Sequence, residues 1–281
     1  MVTIKRAAEL TGVSEHTLRA WERRYHLVEP VRTESGYRLY DERALDTIQL
    51  MKELVDAGWH AREAAAEAGR RAQHPSVPVE DELITAAVDM DADAVARILD
   101  EQFTRASFET VVDEWLMPAL SRLGQAWARG EVSVAGEHLV SNVVMRRLAG
   151  AYEAAGRGAP GPPVLIGAPP DVDHEIGLLA FATAARRAGL PTMYLGGHVP
   201  AEAWRHAATK VQPRHAVTSL HRRRDAHRLG PVATELAGLP DLTLWVGGRH
   251  QDLAPLPWQP LGHSIAEAAH RLALDRIGDG S

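Results

Sequence analysis

The chain has 281 residues, which is enough for two or three domains, and it contains no cysteine. The missing cysteines exclude disulfides, thiolate metal sites, cysteine catalysis and a thioether-linked chromophore. A net charge of −6 argues against general nucleic-acid affinity, yet the first 40 residues hold seven basic and five acidic side chains. With neither a secretory signal nor an apolar run of about 18 residues in view, we expect a cytoplasmic protein with no membrane partner.

The first predicted elements form a helix-turn-helix. A short helix over residues 3–10 is followed by a tight turn at Gly12, and Ser14 is placed to cap a second helix over residues 15–25. Leu18 and Trp21 share a face that we expect to pack against Ala7 and Leu10. The outer face then carries four candidate DNA-binding side chains: His16, Thr17, Arg19 and Arg23.

A basic two-stranded wing is predicted after these helices, over residues 32–40, with Gly36 at its tip. Three of its side chains are candidates for contacts with DNA phosphates: Arg32, Tyr37 and Arg38. The runs 18–25 and 36–40 resemble the winged-helix DNA-binding domain of the MerR family over residues 3–70. That resemblance implies a dimeric reader of palindromic promoter DNA. The alternative is a small helical protein-interaction module with a solvated arginine face.

An all-helical region is predicted over residues 80–155, where apolar residues recur at helical spacing and Asp91 is a plausible N-cap. It is bounded by stretches rich in proline or glycine at 73–78 and 156–163. After the second stretch, strand candidates at 164–167, 192–195, 215–219 and 242–246 alternate with helix candidates that include 175–188 and 201–209. This alternation predicts a parallel sheet with helices on its faces.

Candidate ligand-binding residues follow the ends of three of these strands, and the carboxyl ends of parallel strands meet at one edge of a sheet. An imidazole at such an edge can serve as a metal ligand or a base. The candidates are Asp173, His174, Gly177, Thr218, Ser219, Leu220, Gly247 and Gly248.

The order His174-x-x-Gly177, 41 residues, Ser219 and then Gly247-Gly248 resembles the base-off cobalamin-binding motif. The resemblance implies that His174 coordinates cobalt from the lower face, while the displaced nucleotide tail inserts beside Ser219 and the two glycines. Two positions depart from the pattern. Val172 stands where the family has an acidic residue, so either Asp171 or Asp173 has to orient His174. His221 stands where the family has leucine, unless Thr218-x-Leu220 is the matching triplet.

Trp127, followed by Glu137 and His138, resembles the helical cap of CarH-type light-sensing repressors. The resemblance implies that Trp127 and Glu137 lie over the upper, adenosyl face of the cofactor. The alternative is that Trp127 is an ordinary core residue and Glu137-His138 an exposed pair. Some relatives use a histidine directly after the tryptophan as a second cobalt ligand. Here that residue is Ala128, which leaves His138 or a water molecule for the illuminated state.

Together these patterns predict a winged helix-turn-helix domain (residues 1–75), a four-helix-bundle-like cap (residues 79–157) and an α/β Rossmann-like cobalamin-binding domain (residues 162–276). The resemblance implies a light-responsive repressor, not an enzyme, that binds adenosylcobalamin and holds operator DNA as a dimer or tetramer in the dark. One alternative is a regulator on the same scaffold that senses biliverdin, another bilin or a different ligand without a covalent link. Another is a cobalamin-free regulator that acts through protein contacts. The basic run 221–225 is expected to contact a phosphate, to be solvated or to lie at an oligomer contact.

Overall fold

The computed structural model describes residues 1–28, 31–32, 38–73 and 80–278. Its contacts divide the chain into two compact units, Met1–Val77 and Pro78–Ser281. The helical and α/β parts of the second unit fall within one compact unit, so their separation into two domains stays a prediction. No helix in the described part of the chain is both long enough and apolar enough to span a membrane.

The first unit is a small helical domain with a three-stranded antiparallel sheet, in the order β1-β3-β2. Its elements are β1 Val2–Thr3, α1 Ile4–Thr11, α2 Glu15–Tyr25, β2 Val31–Arg32, β3 Arg38–Tyr40, α3 Glu42–Asp56 and α4 Ala61–Gln73. Helix α2 has the predicted bounds because the Ser14 hydroxyl accepts a hydrogen bond from the backbone N–H of Thr17. The strands β2 and β3 pair Arg32 with Arg38, as expected for the two sides of a wing.

One packing prediction in this unit is wrong. Ala7 and Leu18 are buried as expected, but Leu10 is 51% exposed. Helix α1 continues to Thr11, whose hydroxyl donates to the Ala7 carbonyl. The buried stripe therefore runs from Ala7 to Thr11, four residues apart, and Leu10 turns away from it.

The second unit begins with the four-helix cap. Its elements are α5 Glu80–Val88, α6 Ala92–Arg105, a long helix made of α7 Phe108–Val111, a π turn Val112–Leu116 and α8 Met117–Ala128, and finally α9 Val134–Ala154. Asp91 caps α6 as predicted, since its carboxylate accepts from the N–H of Ala94. Gly136 allows a close helix crossing, because a Cβ there would lie 2.3 Å from the Ala87 carbonyl oxygen.

The π turn ends two residues before Pro118. A proline inside a helix has no N–H to donate and crowds the preceding turn. The backbone accommodates it by widening, so the N–H of Met117 bonds to the carbonyl of Val112, five residues back. The π turn also contains Asp113. Its carboxylate accepts from Ile265 N and Ala266 N, at 2.8 and 3.0 Å, and so caps the first turn of the last helix.

The rest of the unit is a five-stranded parallel sheet with helices on both faces. Its strands are β4 Val164–Ile166, β5 Thr192–Tyr194, β6 His215–Ser219, β7 Thr243–Gly247 and β8 Gln259–Pro260, and its helices are α10 Ile176–Arg187, α11 Ala201–Val211, α12 Leu229–Leu236 and α13 Ile265–Gly278. The strand order is β5-β4-β6-β7-β8. The chain adds β5 on one side of β4 and then returns to add β6 on the other side. The order in which strands are added therefore reverses between β4 and β6, which is the position where open α/β sheets bind ligands.

Candidate functional site

His174 lies in the loop between β4 and α10, at the carboxyl edge of the sheet beside the β4–β6 reversal. Its Nδ1 lies 2.8 Å from the Asp173 carboxylate, so Nε2 is the ring nitrogen left for a ligand. Partial burial alone would raise the pKa of Asp173. The charge of His174 and hydrogen bonds from His174 and the backbone outweigh that effect and lower it. An imidazole held in this way is suited to coordinate a metal through Nε2.

The two residues before Asp173 make contacts elsewhere and do not bond His174. Val172 is 3% exposed and packs into the core, while Asp171 forms an ion pair with Arg228. Arg228 also donates to the Pro170 carbonyl at 3.1 Å, so it fixes the loop that carries His174. Asp173 is therefore the acidic neighbour that bonds the ring.

A second imidazole stacks on His174. The ring of His221, in the loop after β6, lies parallel to it within 18°, with the ring centroids 4.7 Å apart. Desolvation of the His221 ring against these loops, and then the charges of His174, Arg222 and Arg249, lower its pKa. His221 is therefore neutral at physiological pH and does not repel a cation bound at His174.

The loops after β6 and β7 bring the remaining sheet-edge candidates together. Ser219 pairs with Gly247 across the strands, and the N–H of Leu220 donates to the Gly247 carbonyl at 2.9 Å. Gly248 has φ +92°, and a Cβ on it would lie 2.8 Å from the Leu220 carbonyl oxygen. This position therefore requires glycine. At Gly247, by contrast, the nearest atom to an added Cβ lies 4.0 Å away.

Thr218 is the one buried polar side chain in this group of candidates, with 1% exposure. Among the described residues, no group forms a hydrogen bond with its hydroxyl. A buried hydroxyl without a partner is costly in the absence of a ligand. Together with the oriented imidazole of His174, it fits the polar nucleotide tail and the metal ligand that a cobalamin requires.

The candidate residues of the cap lie at one end of the α8–α9 hairpin. Trp127, near the end of α8, is 44% exposed, so the alternative that it is an ordinary core residue is wrong. The Glu137 carboxylate accepts from the Ser141 hydroxyl at 2.7 Å and lies 2.9 Å from Nδ1 of His138. His138 is itself exposed. An indole face and a carboxylate are thus presented together at this end of the cap.

Two approaches between helices locate the Trp127 and Glu137 end of the cap relative to α10. A Cβ built on Gly177, in the first turn of α10, would lie 4.0 Å from the sulfur of Met117 at the start of α8. Trp127 is ten residues further along α8, or about 15 Å. At the other end, Tyr152 of α9 contacts Arg186 near the end of α10, with the guanidinium 3.4 Å from the ring centroid.

Glu137 is fifteen residues before Tyr152, or about 22 Å along α9, whereas Ile176 is ten residues before Arg186, or about 15 Å along α10. Helices α9 and α10 pack along each other. The α9 end that carries Glu137 therefore extends past the beginning of α10, toward the sheet edge that carries His174.

The basic run 221–225 borders a polar cleft of about 330 Å³ beside His174. Asp225 is buried and lies 3.6 Å from the Arg228 guanidinium, so the run is partly neutralised from within. The cleft is lined by Asp171, Asp173, Arg222, Arg224, Asp225, His227 and Arg228.

The candidate DNA-binding residues in the first unit differ in how they are held. Arg19 and Arg23 lie on the exposed face of α2, and Arg19 pairs with Glu15 at 3.2 Å. Arg38, in the wing strand β3, is held by Glu22 of α2 through its Nε at 2.9 Å.

His16 is exposed, and the Thr17 hydroxyl lies 2.8 Å from that of Ser14. The Arg32 side chain and all of Tyr37 lie outside the described residues. His16, Arg19 and Arg23 are thus exposed on α2, and their role in DNA binding stays a prediction.

Sequence reasoning missed several residues that support these sites. Glu175 accepts a hydrogen bond from the Tyr194 hydroxyl at 2.7 Å, which ties the start of α10 to β5 and raises the Tyr194 pKa through burial and the carboxylate. Asp113 and Arg228 act on loops that are far away in the sequence. Their residue types and local spacing carry no signal for those roles.

Comparisons with known proteins match two regions of the chain and relate it to two repressors. Residues 2–66 match the family model of the MerR HTH family regulatory protein, and residues 79–150 match that of the B12 binding domain. The HTH-type transcriptional repressor CarH of Myxococcus xanthus is 36% identical over 262 residues, which cover 86% of this chain and 87% of the relative. The repressor CarA of the same organism is 32% identical, over 75% of this chain and 73% of its own length.

A solved structure supports the fold of the second unit. The monomethylamine corrinoid protein of Methanosarcina barkeri superposes with a TM-score of 0.55 and covers 70% of this chain and 95% of its own. At 14% identity, this likeness concerns the fold alone.

Proposed function

Because the chain belongs to the CarH-type family of cobalamin-binding MerR repressors, we propose that it is a light-responsive repressor that uses adenosylcobalamin as its chromophore. Family membership makes it a DNA-binding transcriptional regulator and not an enzyme. The adenosyl form of the cofactor, the light response and the oligomeric state are the parts that we add. When bound, adenosylcobalamin supplies a cobalt–carbon bond that visible light breaks, with loss of the adenosyl group.

The observation that carries the proposal is the oriented imidazole of His174, at the sheet edge toward which the Glu137 end of α9 extends. His174 would coordinate cobalt through Nε2, with Asp173 holding Nδ1. A single protein ligand suits a metal whose equatorial positions are filled by a macrocycle. The unpartnered Thr218 hydroxyl supports a nucleotide tail that enters beside Ser219.

The cap end would close the opposite side of the site. Trp127 offers a flat apolar surface that a bound adenosyl group would cover. The Glu137 carboxylate, oriented by Ser141, can accept hydrogen bonds from ribose hydroxyls. Loss of that group would expose Trp127 again and would remove the ligand that holds cap and sheet edge in one arrangement.

His138 is the histidine of the cap end that could bind cobalt after illumination, since Ala128 cannot. In this structure its Nδ1 is held by Glu137 at 2.9 Å, which leaves Nε2 for a ligand. Water is the alternative ligand. A His138→Ala substitution separates the two, because it changes the spectrum of the illuminated protein in the first case and leaves it unchanged in the second.

The regulatory output would be a change in assembly. A ligand that binds the assembled chain more tightly than the dissociated one shifts the equilibrium toward a dimer or tetramer. Several DNA readers in one particle then bind a repeated operator with higher avidity than one reader does. Light would reverse this by removing the group that stabilises the assembled form.

The test is the visible absorption spectrum and the size-exclusion profile of the full chain with adenosylcobalamin, in the dark and after green light. We expect a retained corrin band in the dark, a spectral change on illumination and a smaller particle afterwards. His174→Ala should lose lower-face coordination, while the exposed α11 residue His206→Ala should behave as the unsubstituted chain does.

Several outcomes would overturn the proposal. A corrin band and light response that survive His174→Ala would remove His174 as the ligand. No retained corrin at all would favour a sensor of another ligand, with biliverdin as the next compound to mix with the protein. Failure to retain either compound would favour a regulator that acts through protein contacts.

A further inference from the structure

The orientation of His174 needs more support than its carboxylate partner gives. Asp173 is the adjacent residue, and its side chain is 69% exposed. A hydrogen bond to such an exposed carboxylate is weakened by competition with water. The position two residues before His174 supplies no help, because Val172 is buried in the core.

His221 provides a second restraint of a different kind. The Asp173 hydrogen bond acts at the ring edge and fixes rotation within the plane of the imidazole. The parallel His221 ring covers one face of His174, with centroids 4.7 Å apart, and opposes tilting out of that plane. The two restraints are complementary, since neither alone fixes both motions.

The residue directly before His221 is anchored to the neighbouring loop. The N–H of Leu220 donates to Gly247 at 2.9 Å, and the N–H of His250 donates to the Leu220 carbonyl at 3.0 Å. The Leu220 carbonyl is also the atom that approaches Gly248. The stacked ring is thus mounted on the same pair of loops that forms the other side of the site.

We infer that His221 is a positioning residue: it keeps the imidazole of His174 in the plane in which Nδ1–H donates to Asp173, and through that hydrogen bond in the tautomer that leaves Nε2 for a metal. The inference rests on the proposed function, in which His174 ligates cobalt. A leucine at position 221 would have no flat ring to place on His174. The stack therefore compensates in this chain for the missing acidic residue at Val172.

The first test uses the cofactor-free full chain, so that it does not depend on cobalamin. Nitrogen NMR of ¹⁵N-histidine-labelled protein reports the tautomer of His174, whose signals are assigned by their absence from His174→Ala. We expect the Nδ1–H tautomer in the unsubstituted chain and in His221→Phe, which keeps a flat ring. We expect a mixture of tautomers in His221→Leu and no change in the control His206→Leu.

The second test measures binding of hydroxocobalamin to the same variants. Loss of a group that orients a metal-ligating histidine typically weakens metal affinity by about tenfold or more. We expect that loss in His221→Leu and recovery in His221→Phe.

Two results would overturn the positioning role, and a third would separate it from the proposed function. An unchanged tautomer and an unchanged affinity in His221→Leu would overturn the positioning role. An equal loss in His221→Phe would overturn it as well, because a flat ring would then not suffice. If the tautomers respond as expected while no variant binds hydroxocobalamin, the positioning role stands and the proposed function fails.

Discussion

The DNA reader and the sheet-edge site hold their polar side chains in opposite ways. On α2 the candidate residues lie on the exposed face of one helix, and Arg19 is joined to Glu15 by a solvent-exposed pair within that helix. At the sheet edge, His174 is held by Asp173 and His221, and its loop is fixed by Arg228. Exposed helical pairs add little to stability, whereas residues in interlocked loops determine both the local fold and the site.

This difference has a measurable consequence. Substitutions on α2 should change affinity for DNA without changing the free energy of unfolding. Substitutions in the loops at the sheet edge should change both stability and cofactor binding.

Gly248→Ala should destabilise the second unit by about 3 kcal/mol and abolish cobalamin retention. Its φ of +92° and the 2.8 Å approach of an added Cβ to the Leu220 carbonyl combine backbone strain with a steric clash. Urea unfolding and corrin retention measure the two effects. For stability, the neighbouring Gly247→Ala is the matched control, because an added Cβ there has ordinary space. Equal stability of the two variants would contradict the arrangement of these loops.

Arg19→Ala should weaken operator binding by about 1–3 kcal/mol, the range for a side chain that reads a base, with no change in unfolding. The matched control is Arg105→Ala, since Arg105 makes the same exposed pair with a glutamate four residues earlier, but on the cap helix α6. Titration of labelled operator DNA at fixed salt measures the effect. Unchanged affinity would remove Arg19 from the reader, and a lower stability would show that the reader face is not separate from its fold.

Glu109→Gln should cost about 0.5–1 kcal/mol of stability at neutral pH, by weakening the pair with Arg187 that joins the cap to α10 at 2.6 Å. Partial burial alone would raise the pKa of Glu109, but its hydrogen bond to Arg187 lowers it below the ordinary 4.5.

The lowered pKa of Glu109 determines how the stabilisation changes with pH. Because the folded pKa is lowered, the stabilisation is complete above pH 4.5 and is lost as the pH falls through the folded value. Urea unfolding of both chains should show a constant difference at neutral pH that shrinks below pH 4.5. A difference that grows with acid would reverse the assigned role.

The parts of the fold with local signals were predictable from the sequence. Helix α2 and strand β6 have the expected bounds, because a serine cap begins the first and a run of three buried residues marks the second. Strand β7 begins one residue later than expected, and the short strand β8 was missed. Strand β8 has two residues, one of them Pro260, so it carries no alternation and no β-branched residue to mark it.

The parts that depend on distant contacts were not predictable. The stack of His221 on His174 joins loops 47 residues apart, and the Asp113 carboxylate caps a helix that begins 152 residues later. The choice between Asp171 and Asp173 as the partner of His174 required the position of Arg228. In the reader, the pairing of Arg38 with Glu22 joins the wing to α2 and has no local pattern.

The π turn at Val112–Leu116 also sets the rotational phase of everything that follows it in α8. A π turn is a helix with one added residue, and one residue corresponds to about 100° of rotation around the helix axis. In a regular α-helix of the same sequence, α8 would be rotated by about that angle, and Trp127 would face a different direction. Deleting one residue from the π turn should instead keep the present direction of Trp127, because the regular repeat then closes with one residue fewer. The turn that holds Asp113 against α13 therefore also sets the direction in which the indole faces.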